Sequence, residues 1–293
     1  MNAKRLESPP SALGLYARAG LGAIPGTGRL PFLAGGGGEI PDTQLELGDV
    51  EVDRGRLAEY ARVCGFALRD TLPATYPHVL AFPLHLKLLT DPSFPFAAVG
   101  LVHIANRIEQ LRPIAAGERL TLAVRATQLE AHPKGRTFRL HTEARAGGEL
   151  VWSGESTNLR RGGGGESGAS KDAPAADPPS LRDEAEWSLT GDLGRRYASV
   201  AGDRNPIHLY GLTAKAFGFP RQIAHGMWTK ARCLAQLDSR LPEAYTVDVA
   251  FKRPILLPSK VKFASADTAG GLEFGVRSAR DDTPHLAGSV AAG

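Results

Sequence analysis

Cysteine is scarce in this chain, which has only Cys64 and Cys233 among 293 residues. The two lie far apart in the sequence and form neither a Cys-x-x-Cys pair nor a series of regular spacings, so a small disulfide-stapled protein is excluded. Without a disulfide framework, the expected setting is reducing and cytoplasmic.

Long apolar runs are also missing. Charged residues, glycines or prolines interrupt every apolar stretch before it reaches the ~18 residues that a membrane-spanning helix needs. Near the N-terminus, Pro9, Pro10, Tyr16 and Arg18 interrupt the segment that would have to be the apolar core of a secretory signal. We therefore expect neither membrane insertion nor export.

The chain has no strong charge bias, since 35 basic residues face 31 acidic ones for a net charge of +4. This excess is too small and too scattered to predict nucleic-acid binding, although it suits a ligand that carries phosphates. The composition, 42% apolar and 23% charged, is that of a globular chain long enough for one large domain or two smaller ones.

Two glycine-rich stretches divide the chain. The run Gly35–Gly38 closes a first stretch rich in glycine, proline and alanine, and residues 1–40 are therefore interpreted as a poorly ordered or wrapping arm. A stronger break, rich in glycine and proline, is interpreted as a linker over residues 162–180. The predicted domains are thus residues 41–161 and residues 181–293.

The two halves share a faint internal repeat. In each half the sequence predicts helices followed by strands. The sequence YARVCG at 60–65 matches YASVAG at 197–202, and RPI at 112–114 matches RPI at 253–255. Duplicated segments imply duplicated folds.

Alternation of apolar and polar residues with period two predicts the strands of both halves. The segments with this pattern are residues 120–127, 138–145 and 150–152 in the first half, and 245–251, 261–263 and 272–276 in the second. The longest helix of the second half is predicted from Ile223 to Leu237. One long helix against an antiparallel sheet, present twice, predicts an α+β fold.

The densest cluster of polar side chains is GDRNPIH at residues 202–208, and IAHGMW follows at 223–228. Glycine and proline hold a carboxylate, an amide and an imidazole within six residues, so a rigid loop can aim all three at one point. Taken singly, Asp203 and Asn205 are ordinary turn residues and His208 an ordinary structural histidine. Their combination with the second motif favours catalysis.

These motifs, together with Tyr197, Ala214 and Gly218-Phe219, resemble the signature of the (R)-specific enoyl-CoA hydratases, also called MaoC-like dehydratases, which have hotdog folds. The two-copy layout, with the signature only in the second copy, is similar to that of the double-hotdog 3-hydroxyacyl-thioester dehydratases of bacterial fatty-acid metabolism. Segments 76–77, 95–98 and 110–114 of the first half also resemble that subgroup. The resemblance covers residues 45–293.

The resemblance implies a double hotdog and a hydro-lyase that interconverts trans-2-enoyl and (R)-3-hydroxyacyl thioesters of coenzyme A or acyl carrier protein. Asp203 and His208 would be the acid and base with a water between them, and Asn205 would orient Asp203, the water or the substrate. Gly226 would donate its backbone N–H to the thioester carbonyl. The residues expected to contact substrate are Ile223, Ala224, His225, Met227 and Arg204. No metal or redox cofactor is implied, because coenzyme A or phosphopantetheine enters as part of the substrate.

Two other functions stay open at this point. A hotdog thioesterase would release a free thiol, and a non-catalytic acyl-thioester-binding subunit would bind without turnover. The complete set of Asp203, Asn205 and His208 argues against the second. For His225, a role as cap or brace of the following helix is preferred to direct chemistry, and packing is the preferred role of Tyr60 and Tyr197.

The first copy is predicted to lack an active site. When the alignment of Tyr60 with Tyr197 is extended without gaps, Phe66, Leu68 and Thr71 fall opposite Asp203, Asn205 and His208. The first half then serves as scaffold and tunnel wall, and its His78, His85 and His103 take structural roles. Because two fused copies supply each other's partner face, both a pseudo-dimeric monomer and a homodimer are allowed. The basic residues that could meet coenzyme A phosphates are Arg204, Lys215, Arg221, Lys252 and Arg253.

Overall fold

The computed structural model of the chain describes residues 2–12, 14–16, 38–162 and 181–293. Most of the predicted arm and linker therefore lies outside the described residues. The contacts divide the chain into two compact units: the first draws on residues 1–52, 77–103 and 117–170, and the second on 53–76, 104–116 and 171–293. Two segments of the N-terminal half thus belong to the second unit, and the domain bounds read from the sequence stay a prediction.

Strands and helices both contribute to the fold. The strands are β1 (Asn2–Leu6), β2 (Thr43–Val50), β3 (Val102–Gln110), β4 (Leu120–His132), β5 (Gly135–Ala146), β6 (Glu149–Arg161), β7 (Arg182–Leu189), β8 (Tyr245–Phe251), β9 (Ser259–Thr268), β10 (Gly271–Ser278) and β11 (Pro284–Ala292). The α-helices are α1 (Arg54–Cys64), α2 (Tyr76–Leu89), α3 (Leu193–Ala201), α4 (Pro206–Leu209), α5 (Gly211–Ala216) and α6 (Gly226–Leu237). Among the described helices, none is long and apolar enough to cross a bilayer.

The sheet of the first unit has the strand order β1-β2-β4-β5-β6. The pairings from β2 to β6 are antiparallel, and the predicted alternation in β4 is confirmed, since Leu120, Leu122 and Val124 are fully buried. The described start of the arm differs from the expectation of little regular structure. It forms β1, which pairs in parallel with β2 because the edge of β2 offers unpaired backbone groups.

The sheet of the second unit has the order β3-β8-β11-β10-β9-β7, and all of its pairings are antiparallel. Its inward side chains follow the predicted period of two, and Val247, Phe263 and Phe274 are completely buried. Helix α6 begins at Gly226 rather than at the predicted Ile223. Ile223 is instead held in extended conformation by an isolated β-bridge to Leu256.

The internal repeat is visible in matching helix ends. Helices α1 and α3 both end at a glycine in the left-handed conformation, Gly65 at φ 84° and Gly202 at φ 80°, a conformation that other residues adopt at a cost. Each glycine donates its N–H to a carbonyl four residues earlier, in Ala61 and Ala198 respectively. The two YA-x-V-x-G segments therefore form the same capped helix.

The repeat breaks immediately after these glycines. Thr71 forms an isolated bridge with Ala115, just as Ile223 does with Leu256, and both bridges follow an RPI segment. Thr71 lies six positions after Gly65, whereas Ile223 lies twenty-one after Gly202. The second copy therefore carries about fifteen extra residues, and the ungapped placement of Thr71 opposite His208 is wrong. The extra segment includes α4 and α5.

Helix α6 is anchored to its sheet by a buried lysine. Lys230 is fully buried, and its Nζ donates to the backbone oxygen and to Oδ1 of Asn106, at 3.1 and 2.6 Å, and to the carbonyl of Val247 at 3.1 Å. Three acceptors use all three N–H groups of an ammonium. Burial nevertheless lowers the pKa of Lys230 well below its ordinary value of 10.5. The hydrogen bonds thus offset the cost of a buried cation and fix α6 against β3 and β8.

We expect Lys230→Met to lower the free energy of unfolding by about 2–4 kcal/mol, because it removes three buried hydrogen bonds while nearly conserving volume. Denaturant unfolding followed by circular dichroism measures the change. Lys260→Met is the matched control, since the Lys260 side chain is 66% exposed and, among the described residues, forms an ion pair only with Glu186. We expect a change below about 1 kcal/mol there. Equal effects of the two substitutions would contradict the anchoring role.

Candidate active site

The loop after α3 positions the first polar group of the site. Gly202 ends α3, and Asp203 then folds back so that its Oδ1 accepts the backbone N–H of Asn205 at 3.1 Å. Asn205 in turn is the N-cap of α4, where its Oδ1 accepts from the N–H of Ile207 and Pro206 occupies the first helical position. Asn205 thus orients Asp203 through its backbone, while its side chain caps a helix.

His208 is held by one hydrogen bond to a backbone carbonyl. Its Nδ1 lies 2.8 Å from the oxygen of Ile223, and a carbonyl only accepts, so Nδ1 carries the proton and Nε2 of the neutral ring keeps its lone pair. A Cβ at Gly194 would collide with the carbonyl oxygen of His208. The glycine in α3 therefore permits the close packing that seats this histidine.

His225 braces the same site from the residue before α6. Its Nε2 donates to the backbone oxygen of Asp203 at 3.0 Å and lies 3.8 Å from the Asp203 carboxyl group. Its ring stacks on that of His208 with centroids 3.7 Å apart, and it contacts Tyr197 at 4.8 Å. The side chain does not cap the helix by a hydrogen bond, so the brace acts on the Asp203 loop.

Together these contacts bring three titratable side chains to one point. One ring nitrogen each of His208 and His225 and one carboxyl oxygen of Asp203 all lie within 4.8 Å of one another. A single water molecule that makes two hydrogen bonds spans about 5.6 Å, so one water can contact Asp203 and His208 at once. Asp203 remains 29% exposed, whereas both histidines are buried.

Burial sets the charge of the two imidazoles. It lowers the pKa of His208 below the ordinary value of 6.5, although Asp203 and the hydrogen bond to Ile223 act in the opposite direction. Burial, together with the adjacent His208, also lowers the pKa of His225, to about 3. At neutral pH both rings are therefore uncharged, and Nε2 of His208 is able to accept a proton.

The same three residues are poorly arranged for a metal ion. The rings of His208 and His225 are inclined by only 24°, so their lone pairs lie in nearly parallel planes. A zinc ion would have to lie in both planes at about 2.1 Å from each nitrogen.

Helix α6 presents its N-terminal end beside this cluster, because His225 directly precedes Gly226. The first N–H groups of a helix have no partner within the helix and carry a partial positive charge. A Cβ at Gly226 would lie 3.0 Å from the ring of Phe251, so a glycine is needed for the present packing. The glycine thus lets Phe251 pack closely against the helix start.

The other predicted contact residues fall into two groups. Ile223, Ala224 and Met227 are buried beside His225, and Ala224 donates its N–H to Ile255. Arg204 lies with its side chain exposed. Sequence reasoning missed the carbonyl of Ile223 as the partner of His208, since every residue offers a carbonyl and the residue type carries no signal of it.

Known proteins resemble this chain in both sequence and structure. Residues 176–278 match a family model described as a MaoC like domain. The chain is 36% identical over 281 residues to 3-hydroxyacyl-thioester dehydratase X of Mycobacterium tuberculosis, covering 96% of this chain and 98% of the relative. A crystal structure of HtdX from the same organism gives a TM-score of 0.76 at 35% identity, covering 85% of this chain and 99% of that one.

A second structural neighbour bears on the fold alone. It is a Mycobacterium tuberculosis protein described as having a double hotdog fold, with a TM-score of 0.58 at 15% identity over 88% of this chain and 98% of that one. With the HtdX structure, it confirms the predicted α+β double-hotdog class.

We expect nitrogen-15 NMR of the imidazoles to find His208 neutral with its proton on Nδ1, and His225 neutral with its proton on Nε2, between pH 6.5 and 8. Both folded-state pKa values lie below 6.5, so the unfolded chain binds these protons first as the pH falls. The stability contributed by the neutral rings is therefore complete above pH 6.5 and is lost below it. A charged His225 at pH 5 would contradict the arrangement.

Proposed function

Because this chain belongs to the MaoC-like family of double-hotdog 3-hydroxyacyl-thioester dehydratases, we propose that it is a hydro-lyase for trans-2-enoyl and (R)-3-hydroxyacyl thioesters. Dehydration and hydration follow one path in opposite directions, so the enzyme catalyses both, in fatty-acid metabolism. One observation supports assigning the reaction to this site: Asp203 and His208 lie within reach of a single water molecule.

The pair supplies the proton transfers that the reaction needs. In hydration, the water held between Asp203 and Nε2 of His208 adds its oxygen to C3 of the enoyl group. The water's proton passes through the pair to C2, so both side chains end in their initial protonation states. In dehydration, the pair removes the C2 proton and protonates the departing C3 hydroxyl, which leaves as water. The neutral His208 favoured by burial suits the acceptor role.

The backbone N–H of Gly226 is proposed to bind the thioester oxygen. Negative charge develops on this oxygen when the C2 proton is removed, and a fixed amide at a helix start stabilises it without reorganisation. The substrate-facing residues are proposed to be Ile223, Ala224, His225, Met227 and Arg204. Asn205 holds the Asp203 carboxyl group through its backbone N–H.

No metal or redox cofactor takes part in this proposal, since the addition of water exchanges only protons with the enzyme. Coenzyme A or phosphopantetheine enters with the substrate. We further propose a cytoplasmic protein, which the two buried free thiols Cys64 and Cys233 support, and either a pseudo-dimeric monomer or a homodimer. Residues 41–161 are proposed as the non-catalytic copy and 181–293 as the catalytic one, with an arm at 1–40 and a linker at 162–180.

We expect Asp203→Asn and His208→Ala each to lower kcat by about 10²–10⁴-fold on a short enoyl-CoA, because each removes one partner of the proton relay. Loss of the conjugated-thioester absorbance measures the rate, and a thiol reagent in a parallel assay detects any thioester hydrolysis.

The matched controls for these variants are Asp267→Asn, whose carboxyl group is 83% exposed on β9, and His132→Ala at the end of β4. We expect both to keep the wild-type rate. Prior dialysis against a chelator is expected to change none of the rates. A folded Asp203→Asn or His208→Ala protein with full activity would overturn the assignment of the site.

We expect Gly226→Ala to lower kcat by about tenfold to a hundredfold, because the new methyl group crowds Phe251 and displaces the helix start from the thioester oxygen. Combining it with Phe251→Leu should recover part of the loss, and Phe251→Leu alone is measured beside it. Gly191→Ala is the control, since a Cβ there meets its nearest neighbour at an ordinary 3.6 Å. Wild-type activity of Gly226→Ala would argue against this amide as the oxygen ligand.

A further inference from the structure

The segment inserted in the catalytic copy carries an unusual surface. Leu212, at 83% exposure, is the most exposed large apolar side chain among the described residues, and Tyr210 is 55% exposed. Water-exposed apolar side chains close together are typical of contact surfaces. With Arg195, Lys215 and Arg221 these residues form what we call the insert surface.

Contacts and helical spacing place the members of the insert surface near one another. The guanidinium of Arg195 lies over the ring of Tyr210 at 5.1 Å and donates to the carbonyl of Leu209. Leu212 and Lys215 are three residues apart on α5 and so share a helix face. A Cβ at Gly211 would lie 3.2 Å from the side chain of Gln222, which places Arg221 beside the start of α5.

The basic members of this surface lack ion pairs. Among the described residues, no carboxylate lies within salt-bridge distance of Arg195, Lys215 or Arg221. In the same unit, Arg240 and Arg277 each pair with two carboxylates. Between residues 193 and 221 the only acidic residue is Asp203, and Asp192, directly before α3, interacts electrostatically with Arg195 without an ion pair. The insert surface therefore keeps its positive charge available to a ligand.

The insert surface adjoins the reacting groups. Tyr210 follows His208 by two residues, Arg195 follows Gly194, which packs on the His208 carbonyl, and Arg221 precedes Ile223, which holds the His208 ring. A partner bound here would stand next to the site. The first copy, which lacks the acid and base, also lacks the inserted segment.

We propose that the insert surface docks an acidic acyl carrier protein that delivers the acyl group to this site, an inference that rests on the proposed function. Positive charge without internal partners attracts an acidic protein and orients its approach. Burial of an exposed leucine and tyrosine against a protein contributes favourable binding free energy. The phosphates and adenosine of coenzyme A, in contrast, require no apolar contact at Leu212.

The experiment compares one crotonyl group on three carriers: pantetheine, coenzyme A and a bacterial type II acyl carrier protein. The variants are Leu212→Asp and Lys215→Glu, which alter exposed side chains on α5, with Arg280→Glu in the turn between β10 and β11 as the control, since its side chain is 91% exposed. The readout is kcat/KM for hydration at low and at high salt.

We expect each α5 variant to lose about tenfold or more on the carrier protein and less than about twofold on the pantetheine thioester, and Leu212→Asp to lose less than about twofold on the coenzyme A thioester. Added salt should lower the wild-type rate on the carrier protein but not on pantetheine, and Arg280→Glu should resemble wild type. An unchanged rate on the carrier protein, or an equal loss of Leu212→Asp on the carrier protein and on coenzyme A, would overturn the proposal. Wild-type inactivity on all three carriers would instead contradict the proposed function.

Discussion

The hydrogen bond from Nδ1 of His208 to the carbonyl of Ile223 is the contact on which the candidate site depends. It joins the loop after α3 to the chain that enters α6, two segments separated by fifteen positions. It also determines which ring nitrogen keeps a lone pair. The same short segment begins at a bridge to Leu256 and ends at the start of α6, so the base and the helix amide are positioned by one piece of backbone.

Burial and hydrogen bonding act together on this cluster. The stacked imidazoles are removed from water, which favours their neutral forms, and each neutral ring still donates one N–H to a backbone oxygen. Lys230, one turn further along α6, is also buried, but it is a donor to three oxygen atoms, and these hydrogen bonds offset the cost of removing its Nζ from water. Because both arrangements fix α6, stability and the geometry of the site are coupled in this helix.

The duplication explains why one half alone carries the proposed acid and base. Both copies retain the helix that ends in a left-handed glycine and the bridge after the RPI segment, which are features of the backbone. The second copy differs by the segment that contains His208, α4 and α5. The functional difference between the copies is therefore an insertion into a common frame rather than a set of point substitutions.

Local patterns in the sequence determined the strands, the helix ends and the identity of the polar cluster. Period-two alternation predicts β4 because one face of a strand must be apolar, and the glycine at 202 ends α3 because it tolerates a positive φ. The start of α6 was predicted three residues early, since the apolar pattern does not distinguish Ile223 in a bridge from Ile223 in a helix. Only the tertiary structure decided the tautomer of His208, the stacking of His225 and the missing insert of the first copy, because each depends on backbone groups or gaps that residue types do not encode.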